Sequence, residues 1–229
     1  MMAIISDIHA NRAALEAVLA DIDAQGCDEI LCLGDVIGYN AEPEECVQLL
    51  MRRGIPNILG NHDSYITTGR NCERSRVVAE IIDDHRSRLS AESIDWLKLS
   101  LGAIRRDDVL FLHGGPEDPV DQYIYEVDEA LFPEGVSILF AGHTHVQCCI
   151  RLGGKTFCNP GSVGQPRDGD PRAAYAILDG REIHLRRVAY DVARTIEVMD
   201  ERGYEPYKSR GLAVGAQING KISTITVRE

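Results

Sequence analysis

Glu29-Ile30-Leu31-Cys32-Leu33-Gly34-Asp35-Val36-Ile37-Gly38 is the stretch from which the fold can be read. Its apolar run, residues 29–33, reads as a buried strand that stops at Gly34. One carboxylate, Asp35, sits just past the strand end, and Gly38 lets the chain turn away without a side chain in the space above. In α/β sheets, ligands bind outside the carboxyl ends of strands. A lone Gly-Asp is an ordinary turn pair. Here, however, four other apolar runs end alike, in Asp7-Ile8-His9, Gly60-Asn61-His62-Asp63, His113-Gly114-Gly115 and Gly142-His143-Thr144-His145. These strand ends carry Asp, His and Asn and little else that is reactive.

Working outward, Ala3-Ile4-Ile5 reads as a first, short buried strand. Asp7 and His9 follow two apart, a spacing that aims both side chains the same way if the backbone stays extended. Asn11 is the expected N-cap of a helix whose apolar stripe is Ala14, Leu15, Val18, Leu19 and Ile22 and which Gly26 ends. A second helix is expected from Pro43 to Arg53, and a third strand over residues 55–59. This β-α-β-α-β order implies parallel strands with right-handed crossovers. Residues 73–100 read as helix in two pieces, with Ser90 capping the second.

Val109–Leu112 and Val136–Ala141 read as further strands. After residue 145 the texture becomes antiparallel: one hairpin turns at Gly153-Gly154 and a second at Asp179-Gly180. A final amphipathic helix is expected over Tyr190–Arg202. Residues 203–229 carry no strong pattern. The expectation is one domain over residues 1–202, with two face-to-face sheets and helices outside, followed by a loosely packed tail over 203–229.

Composition bounds the function. A chain of 229 residues with 44% hydrophobic and 26% charged residues buries a sizeable core. A net charge of −12 disfavours a broad phosphate-backbone surface, and so long nucleic acid as a partner. It leaves room for a small phosphate ester in a locally positive pocket. No basic-flanked leader precedes Ser6-Asp7, and no apolar run approaches membrane-helix length, so no membrane partner is expected. The seven cysteines form no Cys-x-x-Cys pair and several lie within apolar runs, as reduced core residues of a cytoplasmic protein do.

Asp7, His9, Asp35, Asn61, His113, His143 and His145 are all hard or borderline oxygen and nitrogen donors. Such a set suits manganese first, then iron, zinc, cobalt or nickel. Seven donors exceed what one ion takes with room left for substrate, and fit two ions if one carboxylate bridges. Two divalent ions against two carboxylates and one hydroxide leave a positively charged site, which favours a phosphate ester over an amide. Of the seven histidines, only His85 and His184 lie away from these strand ends. His85 sits among Asp83, Asp84, Arg86 and Arg88 and reads as part of a solvated helix face. His184 alternates with Ile183 and Leu185 and reads as a sheet-surface residue.

Asp7-x-His9, Gly34-Asp35, Gly60-Asn61-His62-Asp63, His113 before Gly-Gly, and Gly142-His143-x-His145 together resemble the calcineurin-like metallophosphoesterases. The motifs occur in that family's order over residues 3–165. The short chain and Asn159-Pro160-Gly161-Ser162 resemble its small prokaryotic phosphodiesterase branch. The resemblance implies an α/β fold, an αββα sandwich of two mixed β-sheets flanked by helices. It implies one ion held by Asp7, His9, Asp35 and His145, and a second by Asp35, Asn61, His113 and His143, with Asp35 bridging. The implied activity is hydrolysis of phosphodiesters, and also of phosphomonoesters, by a metal-bound hydroxide. His62 then protonates the leaving alkoxide, with Asp63 orienting it and favouring its charged form. Such acid help is worth roughly 10²–10⁴-fold.

Around these motifs, Arg12, Tyr39 and Arg167 are candidate substrate contacts. Ser162 reads as a turn residue. The competing reading is a metal-containing scaffold of the same fold that binds without turnover, and His62 discriminates against it, because binding has no need of an acid. A homodimer through the outer helices is compatible with the sequence, which specifies none.

Overall fold

The structure, a computed structural model, describes residues 1–228. Two mixed sheets pack face to face. The first runs in the order β10-β9-β1-β2, from β1 (Met2–Ile5), β2 (Glu29–Cys32), β9 (Ala173–Asp179) and β10 (Glu182–Val188). The second runs β3-β4-β6-β8-β7, from β3 (Ile104–Arg106), β4 (Val109–Leu112), β6 (Ile138–Ala141), β7 (Cys148–Leu152) and β8 (Lys155–Asn159). Within them β1-β2, β4-β6 and β6-β8 are parallel and the remaining neighbours antiparallel. The expected αββα architecture of two mixed sheets is what forms.

Period-two alternation assigns the faces. Met2, Ile4 and Leu31 of the first sheet meet Phe111, Ile138, Phe140 and Cys158 of the second in a core between the sheets. Ala3, Ile5, Cys32 and Tyr175 point the other way, against helices. These are α1 (Arg12–Gln25), α2 (Pro43–Arg53), α3 (Asn61–Thr68), α4 (Arg76–Arg88) and α5 (Ala91–Lys98). Asn11 caps α1 by accepting from Ala14 N, and Ser90 caps α5 by accepting from Ser93 N. The outer face of the second sheet is covered differently. There Leu112, Leu139, Ala141 and Phe157 pack under residues 124–136, which contain only β5 (Glu126–Val127) and a short 3₁₀ turn, Glu129–Leu131.

Two expectations are corrected. The third strand, residues 55–59, is reduced to single bridges of Asn57 to Cys32 and of Ile58 to Leu101. Pro56 has no N–H to extend the ladder, and Asn57 gives its side chain to Asp63 and Ser100. The segment beyond residue 202, expected to be loose, is packed. After α6 (Val192–Glu201), Tyr204 and Leu212 bury against Ile81 and Met199, and Tyr204 Oη donates to Asp84 at 2.7 Å. Farther on, Ile225 packs behind the second sheet and β11 (Thr226–Val227) pairs in parallel with β5. The segment thus ties the helical layer to the opposite side of the molecule. Its hydrophobics are too widely spaced for either a helical or a strand period. Among the described residues, no helix is long and apolar enough to cross a membrane.

Candidate metal centre

Parallel pairing within each sheet brings the carboxyl ends of β1, β2, β4 and β6 to one end of the molecule. Asp7 and His9 follow β1, Asp35 follows β2, His113 follows β4, and His143 and His145 follow β6. All are buried, as is Asn61 at the start of α3. The convergence does not come from extended backbone, as the Asp7-x-His9 spacing suggested. Asp7, His9, Asp35, His143 and His145 all have φ between 48° and 65°. Left-handed backbone at non-glycine residues is costly and gathers at functional sites. Gly60 is fixed by proximity: a Cβ there would stand 2.1 Å from Asp35 Oδ1.

Two clusters of facing donors result. In the first, His9 Nε2 and His145 Nε2 are 3.0 Å apart, and Asp7 Oδ1 lies 3.7 and 3.3 Å from them. In the second, His113 Nε2 and His143 Nδ1 are 3.1 Å apart, with Asp35 Oδ2 3.4 Å from His113 Nε2. The same Oδ2 is 3.7 Å from His9 Nε2, so Asp35 faces both clusters with one oxygen. Its Oδ1 accepts from His62 N at 2.8 Å. Asp7 Oδ2 accepts from His143 N, which leaves Oδ1 buried and without a partner, like Asn61 Oδ1.

The outward ring nitrogens are already committed. His9 Nδ1 donates to Ile37 O at 2.9 Å, His113 Nδ1 to Leu33 O at 2.9 Å and His145 Nδ1 to Gln165 O at 2.7 Å. Each bond sets the tautomer that turns a lone pair inward, as metal-ligating imidazoles require. Facing lone pairs and orphaned carboxylate and amide oxygens fit divalent cations. The charges agree. Burial opposes ionisation of Asp35, but His113 and His62 hold its carboxyl well below the usual range. In the metal-free site Asp35 raises His113 to about 9 despite burial, so its Nε2 then carries a proton that a bound cation would displace.

Other expected residues fall into place unevenly. His62 is buried with Nε2 4.0 Å from Asp35 Oδ2 and Nδ1 unpartnered, and burial lowers it to about 4. Asp63 does not orient it. Its carboxylate accepts from Val36 N, Ile37 N and Asn57 Nδ2 and is raised to about 7 by burial and by Asp35. Asp63 therefore holds the loop after Asp35. Tyr39 packs against the rings of His9 and His62, at 4.6 and 4.9 Å. Arg167 is 6% exposed, its guanidinium 5.1 Å from the Tyr39 ring. Arg12 stands apart, paired with Glu16 at 2.8 Å. Asp168 forms its ion pair with Arg187 rather than with Arg167.

His85 is the clear correction. It is fully buried: Nε2 donates to Asn40 O at 2.7 Å and Nδ1 accepts from Gly38 N at 3.1 Å. It clasps the Gly38-Tyr39-Asn40 turn from behind. Its place among four charged neighbours hid this, although the position falls on the apolar stripe of Val78, Ile81 and Ile82. Asp121 adds a contact outside the sequence motifs. It lies 3.5 Å from the outward Nε2 of His143 and takes both oxygens to Arg74 at 2.6 and 2.7 Å. Nothing local in Pro119-Val120-Asp121-Gln122 signals this role.

Residues 1–182 match the calcineurin-like phosphoesterase superfamily domain, and the chain belongs to that family. It is 34% identical to an uncharacterized protein, MJ0912, of Methanocaldococcus jannaschii, over 86% of this chain and 90% of the relative. Among solved structures, a metallophosphoesterase from Sphaerobacter thermophilus is 35% identical with a TM-score of 0.80, covering 93% of this chain and 98% of its own. A hypothetical protein, PH1004, from Pyrococcus horikoshii shares the fold at 17% identity, with a TM-score of 0.84, 95% of this chain and all of its own being covered.

Proposed function

We propose that this protein is a metal-dependent phosphoesterase that hydrolyses phosphodiesters, and also phosphomonoesters, with two divalent ions, manganese being preferred. The observation that carries this reading is Asp35 Oδ2, which faces both donor clusters beside His9 and His145, whose Nδ1 protons go to backbone carbonyls and whose Nε2 lone pairs turn inward. Asp7, His9, His145 and Asp35 would hold one ion, and Asp35, Asn61, His113 and His143 the other. Bound there, divalent ions supply Lewis acidity and water activation.

The chain's own residues do the rest. Arg167 supports substrate binding. Its buried guanidinium pairs with no carboxylate among the described residues, and Nε has no partner. A buried cation without a counter-ion is expensive, and a phosphate oxygen is the missing partner. Tyr39 fixes the adjoining wall. In the hydrolysis a water oxygen bonds to phosphorus and loses a proton to solvent, the ester P–O bond breaks, the departing alkoxide takes a proton from His62 Nε2, and solvent returns one to His62. Burial alone keeps His62 neutral at pH 7, and the negative charge of the bound ester is what raises its proton affinity. Gly38 gives the imidazole its room, since a Cβ there would lie 2.3 Å from Nδ1.

The test is hydrolysis of bis(p-nitrophenyl) phosphate with and without Mn²⁺. The parent chain should turn over. His62→Ala should lose about 10²-fold or more in kcat while keeping its metal. Full metal content with no hydrolysis of any aryl, nucleotide or cyclic phosphate ester would refute the reading.

A further inference from the structure

The wall of the cavity beside His62 that lies farthest along the chain comes from outside the matched family domain, which ends at residue 182. Residues 217–219 line a cavity of about 430 Å³ together with Tyr39, His62, Val78, Arg74 and Arg167. They belong to a turn closed by Gln217 N donating to Lys221 O at 3.0 Å. The turn is held in place independently of any ligand. Gly169 N donates to Gly215 O at 2.9 Å, and Ser223 N to Arg167 O at 2.7 Å. Arg167 N in turn donates to His145 O at 3.1 Å, so the segment is stitched to the strip that carries the buried guanidinium and a candidate metal ligand.

The chemistry of the lining is mixed in a particular way. Val77, Val78, Ile218 and Cys72 supply apolar surface. Gln217 Nε2 donates to Ser223 Oγ, and Asn219 Oδ1 accepts from Lys221 N. Gln217 Oε1 and Asn219 Nδ2, one acceptor and one donor, are left without a protein partner among the described residues. Arg167 lines the same cavity and supplies one buried positive charge that pairs with no carboxylate among the described residues. Apolar walls with a few convergent polar groups mark a small-molecule site, and the volume is in the usual range for one.

We propose that the Gln217–Asn219 turn is a specificity wall that reads a nucleoside carried on the phosphate: Arg167 takes the phosphate, the apolar walls take the faces of the base, and the two free amide atoms take its edge. The inference rests on the phosphoesterase reading for the phosphate end only. A cavity of this size accommodates a nucleoside-sized group, whereas a phosphoprotein loop would have to continue its chain past the turn.

The experiment is calorimetric titration of the full, Mn²⁺-loaded chain with the four common nucleoside 5′-monophosphates and with phenyl phosphate, alongside bis(p-nitrophenyl) phosphate hydrolysis in the same samples. At least one nucleotide should bind about tenfold tighter than phenyl phosphate. That ratio should fall towards one in Gln217→Ala/Asn219→Ala, and also in Gln217→Glu, which keeps the size of the side chain should the double variant fold poorly. A parent ratio near one, or a ratio that survives both variants, overturns the inference, and hydrolysis in those samples would leave the phosphoesterase reading intact. A nucleotide preference that the variants abolish, in a protein with no hydrolysis, supports the wall and counts against the enzyme.

Discussion

His9 Nε2 and His145 Nε2 face each other at 3.0 Å, although each imidazole already donates its Nδ1 proton to a backbone carbonyl. Two lone pairs therefore point at one another inside a buried site, beside the unpartnered Asp7 Oδ1. A cation between them removes the repulsion. Chelation should lower the melting temperature by several degrees, and Mn²⁺ at about 100 times its Kd should restore roughly 3 kcal/mol of stability. Differential scanning calorimetry with and without chelator measures this, and a transition indifferent to metal would contradict it.

Arg167 predicts opposite signs for function and stability. Removing a buried cation without a carboxylate partner should cost the fold little and can stabilise it. Removing a charged donor to phosphate should cost about 1.5–3 kcal/mol of binding. Arg167→Met is therefore expected to raise KM for a diester by roughly 10- to 100-fold, with an unchanged or higher melting temperature. Steady-state kinetics and a thermal melt on the same preparation decide it.

Asp121 sits behind His143 as a carboxylate behind an imidazole, with Arg74 fixing its other side. Such outer partners typically contribute 10–100-fold in metal affinity. Asp121→Asn should weaken the second of two Mn²⁺ binding events by about that factor and leave the first nearly untouched. Metal titration resolves the two, and equal weakening of both would assign Asp121 a merely structural part.

His85 makes the fold sensitive to acid away from the metal centre. Burial lowers it to about 4, and its neutral form accepts from Gly38 N while donating to Asn40 O. The unfolded chain binds a proton near pH 6.5 and the folded one near 4, so this contribution to stability is present above pH 6.5 and is lost as pH falls through that window. The loss amounts to about 1 kcal/mol per pH unit. His85→Gln should be less stable at pH 7 but flatter between pH 6.5 and 4.5 in urea melts. A parent and variant with parallel pH profiles would refute this.

The site was more legible in the sequence than its supports. Asp7, His9, Asp35, Asn61, His113, His143 and His145 could be read together because each closes an apolar run and the runs fix the strands. His85 and Asp121 act across 47 and 22 residues, on Gly38 and His143, and contact at that range leaves no local pattern. Asp63 does not meet the His62 side chain although it follows it in sequence, because at a helix start successive residues point about 100° apart. The last segment was missed for another reason. Tyr204, Leu212 and Ile225 bury in separate places, so no periodicity records their packing.

In the proposed reading Asp35 Oδ2, which faces both donor clusters, would be shared by two ions. The most direct measurement is Mn²⁺ stoichiometry by elemental analysis, with electron paramagnetic resonance of the loaded chain, for the parent and for Asp35→Asn. Two ions per parent chain with a spin-coupled spectrum, reduced to one ion or fewer without coupling in Asp35→Asn, is the predicted result. One uncoupled ion in the parent, or two coupled ions that persist without the Asp35 carboxylate, would contradict it.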